Sequence, residues 1–170
     1  MSAGIREATL VRINNILVPT DFSENAQLAF DHAYALAAQL DAKLYLLHVR
    51  DESALRIAVK EGLLGADTTD EELQTAVEQL VEERLSATLA GVDRTAVTIE
   101  KVFRRGDPKL VIIEYAREID ADVIVVGMRG TGVVDVIKTA LLGSVAESVI
   151  RKARCPVLMV RLDHGEEDDE

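Results

Sequence analysis

"ADVIVVG" at residues 121–127 is an unbroken apolar run, and glycines follow it at positions 130, 132 and 143 before the helical pattern "SVAESVIRK". An apolar run of this kind is typical of a central parallel strand that is covered on both faces. Glycine has no β-carbon, so it permits tight turns and lets the backbone approach a ligand closely. Glycines at a strand-to-helix junction therefore predict a phosphate site, with a simple turn and helix cap as the alternative.

The alternation of strand and helix extends in both directions from this run. The predicted strands are 13–19, 42–49, 96–103, 121–127 and 155–161, and the predicted helices lie within 23–40, 68–91, 106–120 and 143–154. Parallel neighbours need right-handed crossovers, so the pattern predicts an α/β fold with one doubly wound five-stranded parallel sheet, order 3-2-1-4-5, and helices on both faces. In this order the winding reverses between strands one and four, where such folds bind ligands.

Two of the predicted helices carry clear start signals. Asp107 is a predicted N-cap with Pro108 at the first helical position. Thr69 and Glu72 have the spacing of a capping box, and Gly91 is a suitable stop for the same helix. The residues predicted to share the apolar face of that helix are Leu73, Ala76, Val77, Leu80, Val81 and Leu85.

Length and charge limit the possible classes of protein. The 170 residues fit a single domain, which we expect at 13–161 between an N-terminal extension (1–12) and an acidic tail (162–170). A net charge of -11 has the wrong sign for a nucleic-acid binder. No apolar run approaches the roughly 18 residues of a membrane span, and no signal-peptide core is present, so we expect no membrane insertion and a cytoplasmic protein. The single cysteine, Cys155, is predicted to be a buried, inert thiol.

The motifs of the chain together resemble the universal stress protein family, specifically its ATP-binding branch. The similarity extends from 13 to 161 and rests on "NILVPTDFSENA", "LYLLHV", "RRGDP", "DVIVVGMRG" and "LLGSVAESVIRKARCPVLMVR". The nucleotide motif of that family is G-x-x-G, nine residues, then G-[ST]. Gly127 and Gly130 match the first pair and Gly143 with Ser144 the last, but the spacer 131–142 has twelve residues instead of nine.

The resemblance implies a set of ligand contacts, which are expectations here. It implies ATP, or ADP or AMP, with Mg²⁺ or Mn²⁺ held through the phosphates. Asp21 would lie near the ribose, Val49 would face the adenine through its main chain, and the helix start at 143–145 would donate to phosphate. The complete implied set is Pro19, Thr20, Asp21, Val49, Gly127, Met128, Arg129, Gly130, Gly143, Ser144 and Val145. Exposed amides and the helix dipole favour an anion at 143–145, and Arg129 could add a charge-assisted contact.

Several of these residues have a purely structural alternative. Asp21 could cap the first helix, in competition with Ser23, and Gly143 with Ser144 could form only a turn and a cap. His48 ends a buried strand, where a satisfied and partly buried histidine is a simpler interpretation than a catalytic one.

Signatures of a dedicated enzyme are missing from the sequence. It has no G-x-x-x-x-G-K-[ST] loop, no G-x-S-x-G elbow and no histidine pair at metal-ligand spacing, so we predict no catalytic or protein-held metal residues and at most slow ATP hydrolysis. The resemblance implies a regulatory or stress-survival module that binds ATP. The alternatives are a dimeric interaction module without nucleotide, favoured by the long spacer, and a flavodoxin-like carrier, disfavoured by only 4% aromatic residues.

The last predicted strand has an apolar edge with no internal proline or charge. Such an edge ordinarily invites another strand. We therefore predict a homodimer in which two copies pair antiparallel over Val157 to Arg161, as the family resemblance also implies. A proline at Leu158 or Val160, whichever directs its N–H at the partner, should then give monomers.

Overall fold

The computed structural model of the chain describes residues 12–51, 70–128 and 142–162. The predicted N-terminal extension up to 11, the Thr69 cap, Arg129, Gly130, the spacer up to 141 and the tail from 163 lie outside the described residues. The elements are β1 (Asn15–Thr20), α1 (Glu24–Leu40), β2 (Lys43–Arg50), α2 (Asp70–Thr88), β3 (Ile99–Arg105), α3 (Pro108–Glu118), β4 (Val123–Gly127), α4 (Ser144–Lys152) and β5 (Val157–Val160).

The five strands form one parallel sheet in the order β3-β2-β1-β4-β5. This is the order predicted from the sequence. The central strands are almost fully buried, and Leu17 and Ile124 stand opposite each other in β1 and β4 with no exposed surface. Side chains of successive strand residues point to opposite faces, so a run with no polar positions must be covered on both faces.

Helices cover the sheet on two sides, as predicted. One core cluster joins α1 and α2 to the sheet, with Phe30 of α1 and Leu85 of α2 among its members. The other cluster joins α3 and α4 to the opposite face, with Ile112 and Val149 as fully or almost fully buried members. The chain therefore leaves β1 toward one face and leaves β4 toward the other.

The starts of α1 and α3 follow local capping chemistry. The Ser23 hydroxyl accepts a hydrogen bond from the amide of Ala26 at 3.2 Å, so Ser23 and not Asp21 caps α1. The Asp107 carboxylate accepts from the amide of Lys109 at 2.9 Å, and Pro108 occupies the first helical position. The predicted cap of α3 is confirmed, and the open choice for α1 is settled.

The predicted apolar face of α2 is only partly correct. Val81 and Leu85 are buried, but the side chain of Leu80 is 51% exposed. Leu80 instead lines an open groove of about 430 Å³ between α1 and α2, together with Phe22 and Arg84. The stripe that meets the sheet is narrower than the sequence pattern indicated.

The third strand begins later than its alternating pattern suggested. The prediction was 96–103, whereas β3 spans Ile99–Arg105. The Asp93 carboxylate accepts a hydrogen bond from the Thr95 amide at 2.8 Å, and the Ala96 amide donates to the Asp93 carbonyl at 3.2 Å. This Asx turn holds the chain folded back and delays the start of the strand.

The strand β5 lies at an edge of the sheet, and its backbone groups alternate in direction. The amide of Ile124 donates to the Pro156 carbonyl, and the amide of Met128 donates to the Val160 carbonyl. Leu158 and Val160 therefore direct their backbone groups toward β4, while Val157 and Met159 direct theirs to the open edge.

Two further expectations concern single features of the chain. The thiol of Cys155 is half-buried, and desolvation by its surroundings raises its pKa, which agrees with an inert cysteine. None of the helices within 12–51, 70–128 and 142–162 is long and apolar enough to cross a membrane.

Candidate functional site

The carboxyl ends of β1 and β4 lie side by side where the winding of the sheet reverses. We call this place the β1/β4 crevice. Its described walls are the loop Thr20–Ser23 after β1, the end of β2 at Val49, the end of β4 at Gly127–Met128, and the start of α4 at Gly143–Val145. Crevices at such reversals are the usual ligand sites of open α/β sheets.

The loop after β1 is held by bonds within itself. The Thr20 hydroxyl accepts from the amide of Phe22 at 3.0 Å, and the Asp21 carboxylate accepts from the amide of Ser23 at 3.1 Å. Phe22 has a φ of 64°, in the left-handed region that is uncommon for a bulky residue. The predicted residues Pro19 and Thr20 lie inside β1, and Asp21 is half-buried beside the crevice.

The backbone of Val49, the residue of the predicted adenine contact, points toward β1. The carbonyl of Arg50 accepts from the amide of Gly106 at 3.0 Å, so it points toward β3. Backbone groups alternate along a strand, and the carbonyl of Val49 therefore points toward β1. Because β1 ends at Thr20, whose register partner is His48, this carbonyl lies at the end of the ladder.

Gly127 is in close contact with α1 rather than open to the crevice on all sides. A β-carbon at this position would lie 2.8 Å from the carbonyl carbon and the carbonyl oxygen of Asn25. Real β-carbons do not approach backbone atoms so closely, and Gly127 is thus required for the packing of α1 against β4. This structural reason for the first motif glycine was not visible in the sequence.

A backbone hydrogen bond brings the two parts of the glycine motif together. The amide of Gly143 donates to the carbonyl of Met128 at 2.9 Å, so the start of α4 lies beside the end of β4. Gly143 is the N-cap of α4 and makes no side-chain cap, whereas α1 and α3 have Ser23 and Asp107 for this purpose. Ser144 is exposed, and Val145 packs partly against the core.

His48 is the residue near the site that the sequence interpretation treated as structural. Its Nδ1 lies 2.9 Å from the carbonyl oxygen of Thr20. Its ring stacks on Phe22 with a centroid separation of 4.5 Å and is nearly parallel to Phe103 at 6.1 Å. Burial lowers the pKa of His48, against the opposing effects of the Thr20 carbonyl and the Asp21 charge. The prediction of a satisfied, partly buried histidine is confirmed.

The predicted site residues thus fall into two groups. Those that lie at the ends of β1, β2 and β4 or at the start of α4, the segments that border the crevice, are Pro19, Thr20, Asp21, Val49, Gly127, Met128, Gly143, Ser144 and Val145. Arg129 and Gly130 lie outside the described residues. Among the described residues, no group of three His, Cys, Asp or Glu side chains could hold a metal ion.

Comparison with known proteins gives consistent matches over nearly the whole chain. The sequence model of the "Universal stress protein family" matches residues 12–161. A curated relative from Staphylococcus aureus (strain USA300), which carries the name of this family, is 34% identical over 155 residues, or 91% of this chain and 87% of the relative.

Solved structures give the same fold. The universal stress protein UspA from Lactobacillus plantarum is 31% identical, covers 88% of this chain and 99% of its own, and has a TM-score of 0.65. A universal stress protein in complex with cAMP is 27% identical over 88% of this chain and 98% of its own, with a TM-score of 0.55. A universal stress protein from Archaeoglobus fulgidus in complex with dAMP is 25% identical over 89% of this chain and 99% of its own, also with a TM-score of 0.55.

Proposed function

Since the chain belongs to the universal stress protein family, we propose that it binds an adenine nucleotide in the β1/β4 crevice. The observation that carries the proposal is the hydrogen bond from the Gly143 amide to the Met128 carbonyl. It sets the amides at the start of α4 beside the end of β4, and β4 is the neighbour of β1, the strand that the Asp21 loop follows. The solved relatives with cAMP and dAMP support the adenine monophosphate part of the ligand.

Each part of the nucleotide has a proposed partner. The main chain of Val49 would contact the adenine edge, because its carbonyl points past the end of β1. Asp21 would accept hydrogen bonds from the ribose, with Pro19 and Thr20 behind it. The Gly143 amide already donates to the Met128 carbonyl, so the amides of Ser144 and Val145 would donate to phosphate, aided by the helix dipole and the absence of a side-chain cap on Gly143. Arg129 and Gly130 remain proposed phosphate contacts on the strength of the motif alone.

The proposed ligand is ATP, with ADP or AMP as alternatives. Mg²⁺ or Mn²⁺ would bind through the phosphate oxygens and water. The role that follows is regulatory or stress-related, with hydrolysis at most slow. Calorimetry with ATP, ADP, AMP and cAMP tests the proposal, and mass analysis of nucleotide carried through purification identifies the natural ligand. Absence of both binding and carried nucleotide would reject it.

A matched pair of variants at one position tests the helix start. Ser144→Pro removes the first amide of α4 and the hydroxyl, whereas Ser144→Ala removes the hydroxyl only. Proline fits the first turn of a helix, and Pro108 already occupies this position in α3. If the amide binds phosphate, Ser144→Pro should bind nucleotide more weakly than Ser144→Ala at equal stability. Equal affinities would exclude this amide from the site.

The open edge of β5 supports a second proposal, a homodimer. Leu158 and Met159 are 42% and 43% exposed there, and Val157 and Met159 direct their backbone groups outward. Antiparallel pairing of two copies over 157–161 would satisfy these groups and cover the apolar side chains. A dimer without nucleotide, acting as an interaction module, is the alternative function that this edge and the long spacer favour.

A further inference from the structure

His48 connects three segments of the chain at the crevice. Its Nδ1 contacts the Thr20 carbonyl at the end of β1, and its ring lies against Phe22 of the following loop and Phe103 of β3. Thr20 and Phe22 are neighbours in the segment that ends β1, and Phe103 belongs to a different strand, β3. His48 is therefore placed to hold the loop after β1 against the rest of the sheet.

The contact with Thr20 also determines where the histidine proton lies. A carbonyl oxygen can only accept a hydrogen bond, so Nδ1 of His48 must be the donor. In the neutral ring the proton is then on Nδ1, and Nε2 is the acceptor. This tautomer is a property of the free protein and can be measured without any ligand.

The loop held by His48 has a conformation that needs support. A left-handed φ at a bulky residue such as Phe22 is strained and persists only where surrounding contacts hold it. Stacking of Phe22 on His48 is one such contact, and the guanidinium of Arg84 lies 5.9 Å from the centroid of the same Phe22 ring. Asp21 lies in sequence between Thr20, whose carbonyl contacts Nδ1 of His48, and Phe22, on which the His48 ring stacks.

We propose that His48 is a positioning residue of the nucleotide site: it fixes the loop Thr20–Ser23 and thereby the place of the Asp21 carboxylate. This inference rests on the proposed nucleotide function, but His48 itself does not touch the ligand. Its hydrogen bond sets the loop, and its ring contributes packing. The two contributions can be separated by substitution.

Two variants divide the roles of His48. His48→Asn keeps a donor nitrogen at the position of Nδ1 but loses the ring, and His48→Phe keeps a ring but loses the donor. We expect His48→Phe to weaken binding of AMP or ATP about fivefold to tenfold while its melting temperature stays close to that of the native protein. We expect His48→Asn to retain most of the affinity at a lower melting temperature, because ring packing is lost.

A control variant and a ligand-free measurement complete the test. Leu89→Ala truncates a buried side chain of the core and should lower the melting temperature without changing nucleotide affinity. Affinities that follow melting temperature across all variants would overturn the positioning role. The ¹⁵N spectrum of the free native protein should show the Nδ1–H tautomer of His48, and an Nε2–H tautomer would also overturn it. If the native protein binds no nucleotide, the proposed function fails. Hydrogen exchange of the Phe22 and Ser23 amides then tests the loop separately: we expect it to be slow in the native protein and faster in His48→Phe, and equal rates in both proteins would show that His48 does not hold the loop.

Discussion

Asn25 in the first turn of α1 occupies the space that a β-carbon of Gly127 would need. The carbonyl carbon and oxygen of Asn25 lie 2.8 Å from the position of that missing atom. Asn25 also accepts a hydrogen bond at 3.5 Å, through its side chain, from the amide of Leu162 after β5. The start of α1 is thus fixed against the ends of β4 and β5 at the mouth of the crevice.

Gly127→Ala should lower the free energy of unfolding by about 1 to 3 kcal/mol, because either α1 or β4 must shift to admit the methyl group. Nucleotide affinity should fall as well, since the shift moves a wall of the crevice. Gly91→Ala is the comparison: Gly91 has a φ of +88° and open space around it, so alanine there adds backbone strain without a clash. Urea unfolding and calorimetry measure both effects, and a Gly127→Ala protein as stable as the native one would contradict the steric argument.

Asp21→Asn should reduce nucleotide affinity about tenfold or more, if the carboxylate accepts from the ribose, because hydrogen bonds to charged groups are the stronger ones. The amide oxygen of asparagine can still accept from the Ser23 amide, so stability should change by less than about 1 kcal/mol. Ser23→Ala should behave in the opposite way, with a loss of about 1 kcal/mol of stability from the lost cap and little loss of affinity. Equal affinity in Asp21→Asn and the native protein would remove Asp21 from the ligand contacts.

The stability of the protein should decrease as the pH falls below about 6.5, with a part of that decrease due to His48. Burial lowers the pKa of His48 in the folded chain from its ordinary value of 6.5. Between the folded and the unfolded pKa, the unfolded chain binds a proton that the folded chain does not, so the free energy of unfolding falls with falling pH. The charge of Asp21 opposes this shift and reduces the effect.

Urea unfolding of the native protein and of His48→Phe between pH 8 and 5 isolates the contribution of His48. Carboxylates elsewhere titrate in both proteins and cancel in the difference. The native protein should lose more stability over this range than His48→Phe. Identical pH profiles would mean that burial does not suppress protonation of this histidine.

Met159→Pro should convert the proposed homodimer into a folded monomer. The Met159 amide points to the open edge, so proline there removes a bond to the partner but none to β4. Proline at Leu158 or Val160, the positions considered from the sequence, would instead remove bonds to β4 and destabilise the subunit itself. Light scattering with circular dichroism distinguishes these results. A native monomer at micromolar concentration, or a dimer that persists in Met159→Pro, would contradict the interface.

The sheet order and the crevice could be predicted because each strand and its following helix are encoded locally. Asp107 with Pro108 shows this well, since the cap and the first helical residue are adjacent in sequence and need no tertiary context. The sequence did not show whether Asp21 or Ser23 caps α1, because both side chains suit a helix start and only the geometry of the turn decides between them. The structure gives each a separate bond, with Asp21 closing the turn and Ser23 capping the helix.

Long-range contacts explain what the sequence did not predict. The exposure of Leu80 depends on how far α2 reaches across the sheet, which its own periodicity does not determine. His48 interacts with residues from two other strands and a loop, and no local pattern marks such a site. The need for glycine at 127 comes from Asn25, which is a hundred residues away, so the motif alone suggested only a ligand role.

The hydrogen bond from Gly143 to Met128 also means that the connection between β4 and α4 can vary in length while its two ends keep their positions. The bond holds Met128 and Gly143 together, so these two residues stay in place whatever number of residues lies between them. The entropic cost of closing a flexible loop grows only with the logarithm of its length, so three additional residues cost about 0.2 kcal/mol. Insertions and deletions can therefore accumulate here during evolution without disturbing the sheet, and the same position is suited to carry an engineered reporter of ligand binding.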